Sequence, residues 1–300
     1  MNQRLDWNRD GHDWPNRDAS RFVAAGGLDW HVQTMGSGPT LLLLHGTGAS
    51  THSWRGLLPL LARDFTVVAP DLPGHGFTTS PIANRLSLPG MAALTAELLA
   101  KLGVVPVASV GHSAGAAILI RMSLDRQLPR PHSIVSINGA LFPFEGFAGQ
   151  FFSPIAKALA LNPFVPRLLA WRAGNRPTVT RVLADTGSKI SQTDLDTYAR
   201  LFQSPAHVAA ALGMMANWDL KPLVADLPHL AATLTLIAAG NDRAVSSDDA
   251  FRVRKLLPSA HVEYVRGLGH LAHEEDPGLI AALVHGVIKP FTDRPEAAPP

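Results

Sequence analysis

The chain has no cysteine in 300 residues, only two tyrosines, and few charges: 17% of residues and a net +2 at neutral pH. Without cysteine there can be no disulfide, no thiolate metal site and no cysteine nucleophile, and the composition suits a reducing compartment. A charge this small and diffuse excludes the electrostatic footprint of a nucleic-acid binder. The first residues, MNQRLDWNRDGHDW, lack the apolar core of a secretory signal. One uncharged stretch, Leu102 to Ile120, is long enough to cross a bilayer. It holds Pro106, three glycines, Ser109, His112 and Ser113, so it reads as a strand, a turn and a helix. A cytoplasmic protein is expected.

What is present is apolar, at 46% hydrophobic residues, enough for a large core in one α/β domain with an insertion. Ser20–Ala24 and Leu28–Gln33 are alternating runs around Ala25-Gly26-Gly27, a hairpin signal. Thr40–Leu44 (TLLLL) and Phe65–Ala69 read as strands buried on both faces. Trp54–Ala62 reads as helical, as does Leu88–Leu102, with Met91, Leu94, Leu98, Leu99 and Leu102 at helical spacing. Then come a strand at Val105–Val110, a turn at Gly111–Gly115 and a helix at Ala116–Leu124. Strands are expected at Ser133–Ile137, Leu234–Ala239 and His261–Val265, with a closing helix at Gly278–Val287. Alternation of this kind predicts a mostly parallel central sheet with helices on both faces. From Leu141 to Pro228 no strand-like run occurs, and prolines cut the segment into helical pieces. A structureless loop of that length is implausible, which predicts a helical lid over 141–228. Residues 1–140 and 229–292 then form the core, and 293–300 a disordered tail.

Gly111-His112-Ser113-Ala114-Gly115 matches G-x-S-x-G, where a serine sits on a tight strand-to-helix turn. Such a hydroxyl needs a base, and the base an orienting acid. Asp242 follows the strand Leu234–Ala239, and His270 follows His261–Val265; strand ends on one edge of a parallel sheet converge. Ser113, Asp242 and His270 are therefore the candidate catalytic residues. Asp248 and Asp249 are competing acids further along, and His273 reads as a packing or helix-start residue. The backbone N–H groups of Ala114 and of Thr47, in His45-Gly46-Thr47-Gly48, are the candidate oxyanion donors. Asp71, in DLPGHG, reads as a structural turn residue. His270, His273, Glu274 and Glu275 cluster without H-E-x-x-H spacing, so no metal and no cofactor are expected.

His45-Gly46, Asp71 to Gly76 and Gly111 to Gly115 together resemble the α/β-hydrolase superfamily. The segments WPNR (14–17), LDWHVQ (28–33), LLLLHGTGASTHSWR (41–55), VAPDLPGHGFT (68–78), LSLPGMA (86–92) and VGHSAGAAI (110–118) are similar to a narrower group. These are the magnesium chelatase accessory proteins of bacteriochlorophyll biosynthesis in phototrophic bacteria. The resemblance implies an α/β-hydrolase fold and a role near insertion of magnesium into protoporphyrin IX, with magnesium chelatase subunits as partners. Ser113 excludes the nucleophilic aspartate of epoxide hydrolases and haloalkane dehalogenases.

Three readings follow: a serine hydrolase of an ester, thioester or amide; a non-catalytic tetrapyrrole-binding or chelatase accessory protein; and a cofactor-free oxidative or carbon–carbon-cleaving enzyme. Fold alone does not choose among them. The lid opens with Phe142, Phe144, Phe147, Phe151 and Phe152, and between Phe151 and Arg181 carries Lys157, Arg167, Arg172, Arg176 and Arg181 without an acid. Apolar surface beside bases suits a tetrapyrrole or its ester, or a peripheral contact with an anionic membrane.

Overall fold

A computed structural model describes residues 4–128, 132–143, 162 and 164–292. Eight strands, β1 (Ser20–Ala25), β2 (Leu28–Met35), β3 (Thr40–Leu44), β4 (Thr66–Pro70), β5 (Ala108–His112), β6 (Ser133–Ile137), β7 (Thr233–Ala239) and β8 (His261–Val265), form one sheet. Their order is β1-β2-β4-β3-β5-β6-β7-β8. β2 runs antiparallel to β1 and β4, and every other pairing is parallel. The β1–β2 hairpin turns on Gly26 and Gly27, with φ of 58° and 76°, values that a two-residue turn demands and glycine adopts freely.

The helices are α1 (Trp7–Asp10), α2 (Leu57–Leu61), α3 (Leu88–Leu102), α4 (Ala114–Leu124), α5 (Phe164–Arg172), α6 (Arg176–Ala184), α7 (Gln192–Phe202), α8 (Pro205–Ala216), α9 (Lys221–Asp226), α10 (Asp248–Leu256), α11 (Ala272–Glu275) and α12 (Pro277–Thr292). Alternation along β3 shows how they are layered. Leu42 and Leu44 pack with Met91 of α3 and Ile118 of α4 on one face of the sheet. Leu41 and Leu43 pack with Leu57 and Leu61 of α2 and Ile280 and Val284 of α12 on the other. Between β6 and β7 every described helix or strand is a helix, α5 to α9 or the short 3-10 turn Leu227–His229. The expected tail, 293–300, lies outside the described residues.

Two boundaries differ from expectation near the centre. β5 begins at Ala108 and runs to His112, whereas Val105–Val110 was expected, because Pro106 has no N–H for the ladder and pairing with β3 starts opposite Leu41. Helix α4 begins at Ala114, directly after Ser113, so the predicted five-residue turn shrinks to one residue. The stretch expected to be helical from Trp54 is split into a 3-10 turn, Thr51–Trp54, and α2, with Gly56 between them.

Burial holds seven of the buried histidines (45, 52, 75, 112, 132, 207 and 273) below the ordinary imidazole value of 6.5; His132 and His207 fall to about 4. Unfolding frees these rings to take up protons, so the unfolded chain binds more protons than the folded one between pH 6.5 and 4. Their contribution is complete above pH 6.5 and falls away below it, for His132 and His207 down to about 4. For His132 and His207 it amounts to roughly 3 kcal/mol each. Urea unfolding at pH 7.0 and at about pH 5 checks this: the midpoint is expected to drop markedly at the lower pH, and less so in His207→Asn. A midpoint independent of pH in the parent would contradict it.

Candidate active site

At the end of β5 the chain reverses into α4 at Ser113, whose φ of 51° and ψ of −116° are strained for a residue with a Cβ. The flanking glycines are required by contact. A Cβ on Gly111 would stand 2.5 Å from Ala116 backbone, and one on Gly115 would overlap the carbonyl oxygen of Leu44. The Ser113 N–H donates to the Ile137 carbonyl, and its own carbonyl accepts from Ala116 and Ala140. The turn is thus held by β6 and the loop beyond it.

The structure brings Asp242 and His270 together across the ends of β7 and β8. His270 Nδ1 donates to Asp242 Oδ2 at 2.7 Å. The other carboxylate oxygen accepts the N–H groups of Ala244 and Val245, both at 2.8 Å. The Asp242 side chain is buried, only 1% exposed. With Nδ1–H committed to the acid, Nε2 of a neutral His270 is the ring's free base. The competing acids Asp248 and Asp249 sit on α10, where Asp249 accepts from Arg252.

The loop His45–Gly48 lies against the serine turn, since a Cβ on Gly46 would stand 3.0 Å from the Ser113 Cβ. His45 shapes this loop: its Nδ1–H donates to Gly46 O, and Nε2 accepts from the Leu72 N–H. The Thr47 hydroxyl donates to Met214 Sδ in α8 at 3.4 Å. Ala114 opens α4, so its N–H has no acceptor within the helix. Thr47 follows the glycine that touches Ser113, and Ala114 follows Ser113 itself.

Several supporting residues carried no sequence signal. Asn138, just past β6 with φ 46°, donates to the carbonyls of Gly269 and His270 and accepts from the Ala239 N–H, so it ties the acid strand to the histidine loop. His112 Nε2–H donates to the same His270 carbonyl, and its ring lies 4.7 Å from that of His270. Thr186 to Ser188, between α6 and α7, brace both loops: the Thr186 carbonyl accepts from Arg243, and Ser188 Oγ from Leu271. A Cβ on Gly269 would overlap the Gly187 backbone, and one on Gly187 the Asn241 carbonyl.

Beneath this lies a buried polar cluster. Ser53 Oγ donates to Glu274 Oε1 at 2.5 Å and accepts from His273 Nε2 at 2.7 Å. Glu274 also receives the Tyr198 hydroxyl and Arg55, and Arg55 pairs in turn with Asp194. Burial pushes the Glu274 carboxyl up, opposed by Arg55, Ser53 and Tyr198. His273, expected to pack or start a helix, is fully buried in this cluster. Glu275 accepts the N–H groups of Gly269 and Lys189. Asp71 anchors three segments at once, accepting from His31 Nδ1 and from the N–H groups of Thr51 and Phe77.

The acid-free basic run finds acids just beyond it: Arg176 pairs with Asp196 of α7, and Arg181 approaches Asp185 one helical turn further on. Among the described residues Arg167 and Arg172 have no ion pair. Phe142 is buried, with the Arg252 guanidinium 4.0 Å above its ring. Phe144, Phe147, Phe151, Phe152 and Lys157 lie outside the described residues. No described helix is long and apolar enough to cross a membrane.

The family model described as alpha/beta hydrolase family matches residues 41–283. The chain is 42% identical over 263 residues to the magnesium-chelatase 30 kDa subunit of Rhodobacter capsulatus, covering 87% of this chain and 91% of that protein. It is 26% identical to a 2-hydroxy-6-oxo-2,4-heptadienoate hydrolase of Pseudomonas putida, covering 88% and 95%. Among solved structures, an alpha/beta hydrolase fold protein from Burkholderia ambifaria superposes with a TM-score of 0.74 at 23% identity, over 89% of this chain and 97% of that one. Potato epoxide hydrolase I superposes with 0.75 at 20% identity, over 91% and 99%. These two share the fold. The order β1-β2-β4-β3-β5-β6-β7-β8, the serine turn after β5 and the match over 41–283 agree: the chain belongs to the alpha/beta hydrolase family, with extended similarity to a magnesium-chelatase 30 kDa subunit.

Proposed function

We propose that the protein is a serine hydrolase of an ester, thioester or amide. The observation that carries this reading is the 2.7 Å bond from His270 Nδ1 to the buried Asp242, which leaves Nε2 as a base at the edge of the sheet where Ser113 turns. In this reading Nε2 takes the Ser113 proton as Oγ attacks the carbonyl carbon. The N–H groups of Thr47 and Ala114 hold the oxyanion. The imidazolium then protonates the departing alcohol, thiol or amine, and water repeats the sequence in reverse to release the acid and restore Ser113. Asp242 fixes the tautomer and stabilises the imidazolium.

The segment 141–228 would act as the lid on this site. α8 already reaches the oxyanion loop: His207 Nε2–H donates to Gly48 O, and its Nδ1 accepts from Gly76 N–H. Similarity to a magnesium-chelatase 30 kDa subunit supports a place near the magnesium-chelation step of bacteriochlorophyll biosynthesis. The substrate would be a tetrapyrrole or its ester, the partners chelatase subunits, and peripheral contact of the lid with a membrane belongs to the same reading. That similarity also favours a second reading, a non-catalytic accessory protein on a hydrolase scaffold.

Fluorophosphonate labelling and ester turnover separate the two. Ser113→Ala is expected to abolish both while leaving thermal unfolding intact; full labelling of the variant would remove Ser113 as nucleophile. A parent that neither labels nor turns over any ester, yet stimulates magnesium insertion in a reconstituted assay, would establish the accessory reading. Asp242→Asn is expected to lower turnover by about 10⁴-fold, by analogy with the protease triad. If activity instead survives there and is lost in Asp249→Asn, the orienting acid is Asp249. Asn138→Ala removes two donors from the histidine loop, and kcat is expected to fall by roughly 10- to 100-fold, the sensitivity of such chemistry to misplacement. An unchanged kcat would show that the loop is held without it.

A further inference from the structure

Helix α5 buries one side and leaves a large apolar ridge on the other. Pro166 and Ala170 are buried, followed by Ala173, and the helix packs on α8. Turned away from them, at i, i+4 and i+7, are Phe164, Leu168 and Trp171, exposed to 70%, 55% and 76%. At 100° per residue these three fall within one narrow stripe, with Arg167 on one side of it and Arg172 on the other. Neither arginine has an ion pair among the described residues, and no acid lies in the sequence between Phe151 and Arg181. Water is a poor partner for a tryptophan, a phenylalanine and a leucine in one row.

We propose that α5 docks on an anionic lipid bilayer, lying in the plane of the headgroups with Phe164, Leu168 and Trp171 inserted and Arg167 and Arg172 on lipid phosphates. The ridge is convex, so it cannot enclose a small planar ligand, which needs a concave site. Two copies related by a two-fold axis would bring like-charged arginines face to face, which disfavours self-association. An apolar stripe flanked by cations instead has the charge and shape of a helix that lies on a membrane without crossing it. Tryptophan favours this depth because its ring is apolar and its N–H polar. Docking here would set the lid of the proposed hydrolase against the bilayer, from which an apolar substrate is drawn; the docking itself does not require that Ser113 be catalytic.

Co-sedimentation of the full-length protein with vesicles tests it, comparing pure phosphatidylcholine with equal parts phosphatidylcholine and phosphatidylglycerol. The parent is expected to partition onto the anionic vesicles, less so at high salt, and Trp171 to be quenched by brominated acyl chains. Leu168→Ser with Trp171→Ser is expected to weaken partitioning at least roughly ten-fold. Arg167→Gln with Arg172→Gln is expected to weaken it roughly 30-fold on anionic vesicles. All these side chains are exposed, and an unchanged unfolding midpoint and unchanged turnover of a small soluble ester show that the variants are folded. Ser113→Ala should partition like the parent, so failure of the hydrolase reading stays separate from failure of this one. Parent protein that remains in the supernatant with both vesicles overturns the proposal, as do variants that partition like the parent. Loss of a dimer in the stripe variant, with no lipid binding by the parent, also overturns it and gives the ridge to a second copy.

Discussion

Everything at the candidate site depends on how closely three backbones meet at the end of β5. Ser113 adopts a conformation that costs of order 1–3 kcal/mol for a residue with a side chain. It is kept there because Gly115 lies on the carbonyls of Leu44 and His45, and Gly111 lies on the start of α4. Closeness has a second effect, since it puts Gly46 against the serine Cβ and so brings the His45–Gly48 loop beside Ser113. A side chain on Gly111 or Gly115 would push β5 or β3 away from α4, and the serine turn would lose its neighbours before any charged group was disturbed.

A second constraint joins the described helices between β6 and β7 to the rest of the chain. Asp194 and Tyr198 of α7 meet Arg55 and Glu274 of the core in a buried ion-pair and hydrogen-bond cluster. Buried charges of this kind add little net stability but are costly to separate, because each leaves an uncompensated partner. The cluster lies under the histidine loop, where the His112 and His273 rings are 4.5 Å apart. Thr186 to Ser188 touch both the Asp242 and the His270 loops. Residues 186–188 therefore help to hold Asp242 and His270, and deleting 141–228 would disturb both.

The fold admits many chemistries, so family membership leaves the reaction open. Relatives named as a chelatase subunit and as a hydrolase share this scaffold. Potato epoxide hydrolase I shares only the fold. What narrows the proposal is local: a serine on the turn after β5 and a carboxylate on His270 Nδ1.

Alternating leucines in Thr40–Leu44, the glycines around Ser113 and the acid and histidine placed just past two late strands were readable from sequence. Each depends on local chemistry: side-chain period, the space a Cβ needs, and the rule that parallel strands end on one edge. The start of β5 was misplaced because β propensity at Val105 outweighed the missing donor of Pro106, which matters only once β3 is alongside. Asn138 gives no pattern, since its worth lies in three bonds to residues about 100 to 130 positions away. The run of bases is uniform along the chain, yet Arg176 meets Asp196 of the next helix, α7, while among the described residues Arg167 and Arg172 have no ion pair. Period and local sterics are written into neighbouring residues, and the sequence by itself determined those; which distant groups come within hydrogen-bonding reach, and which face of α5 remains bare, was decided only when the helices packed.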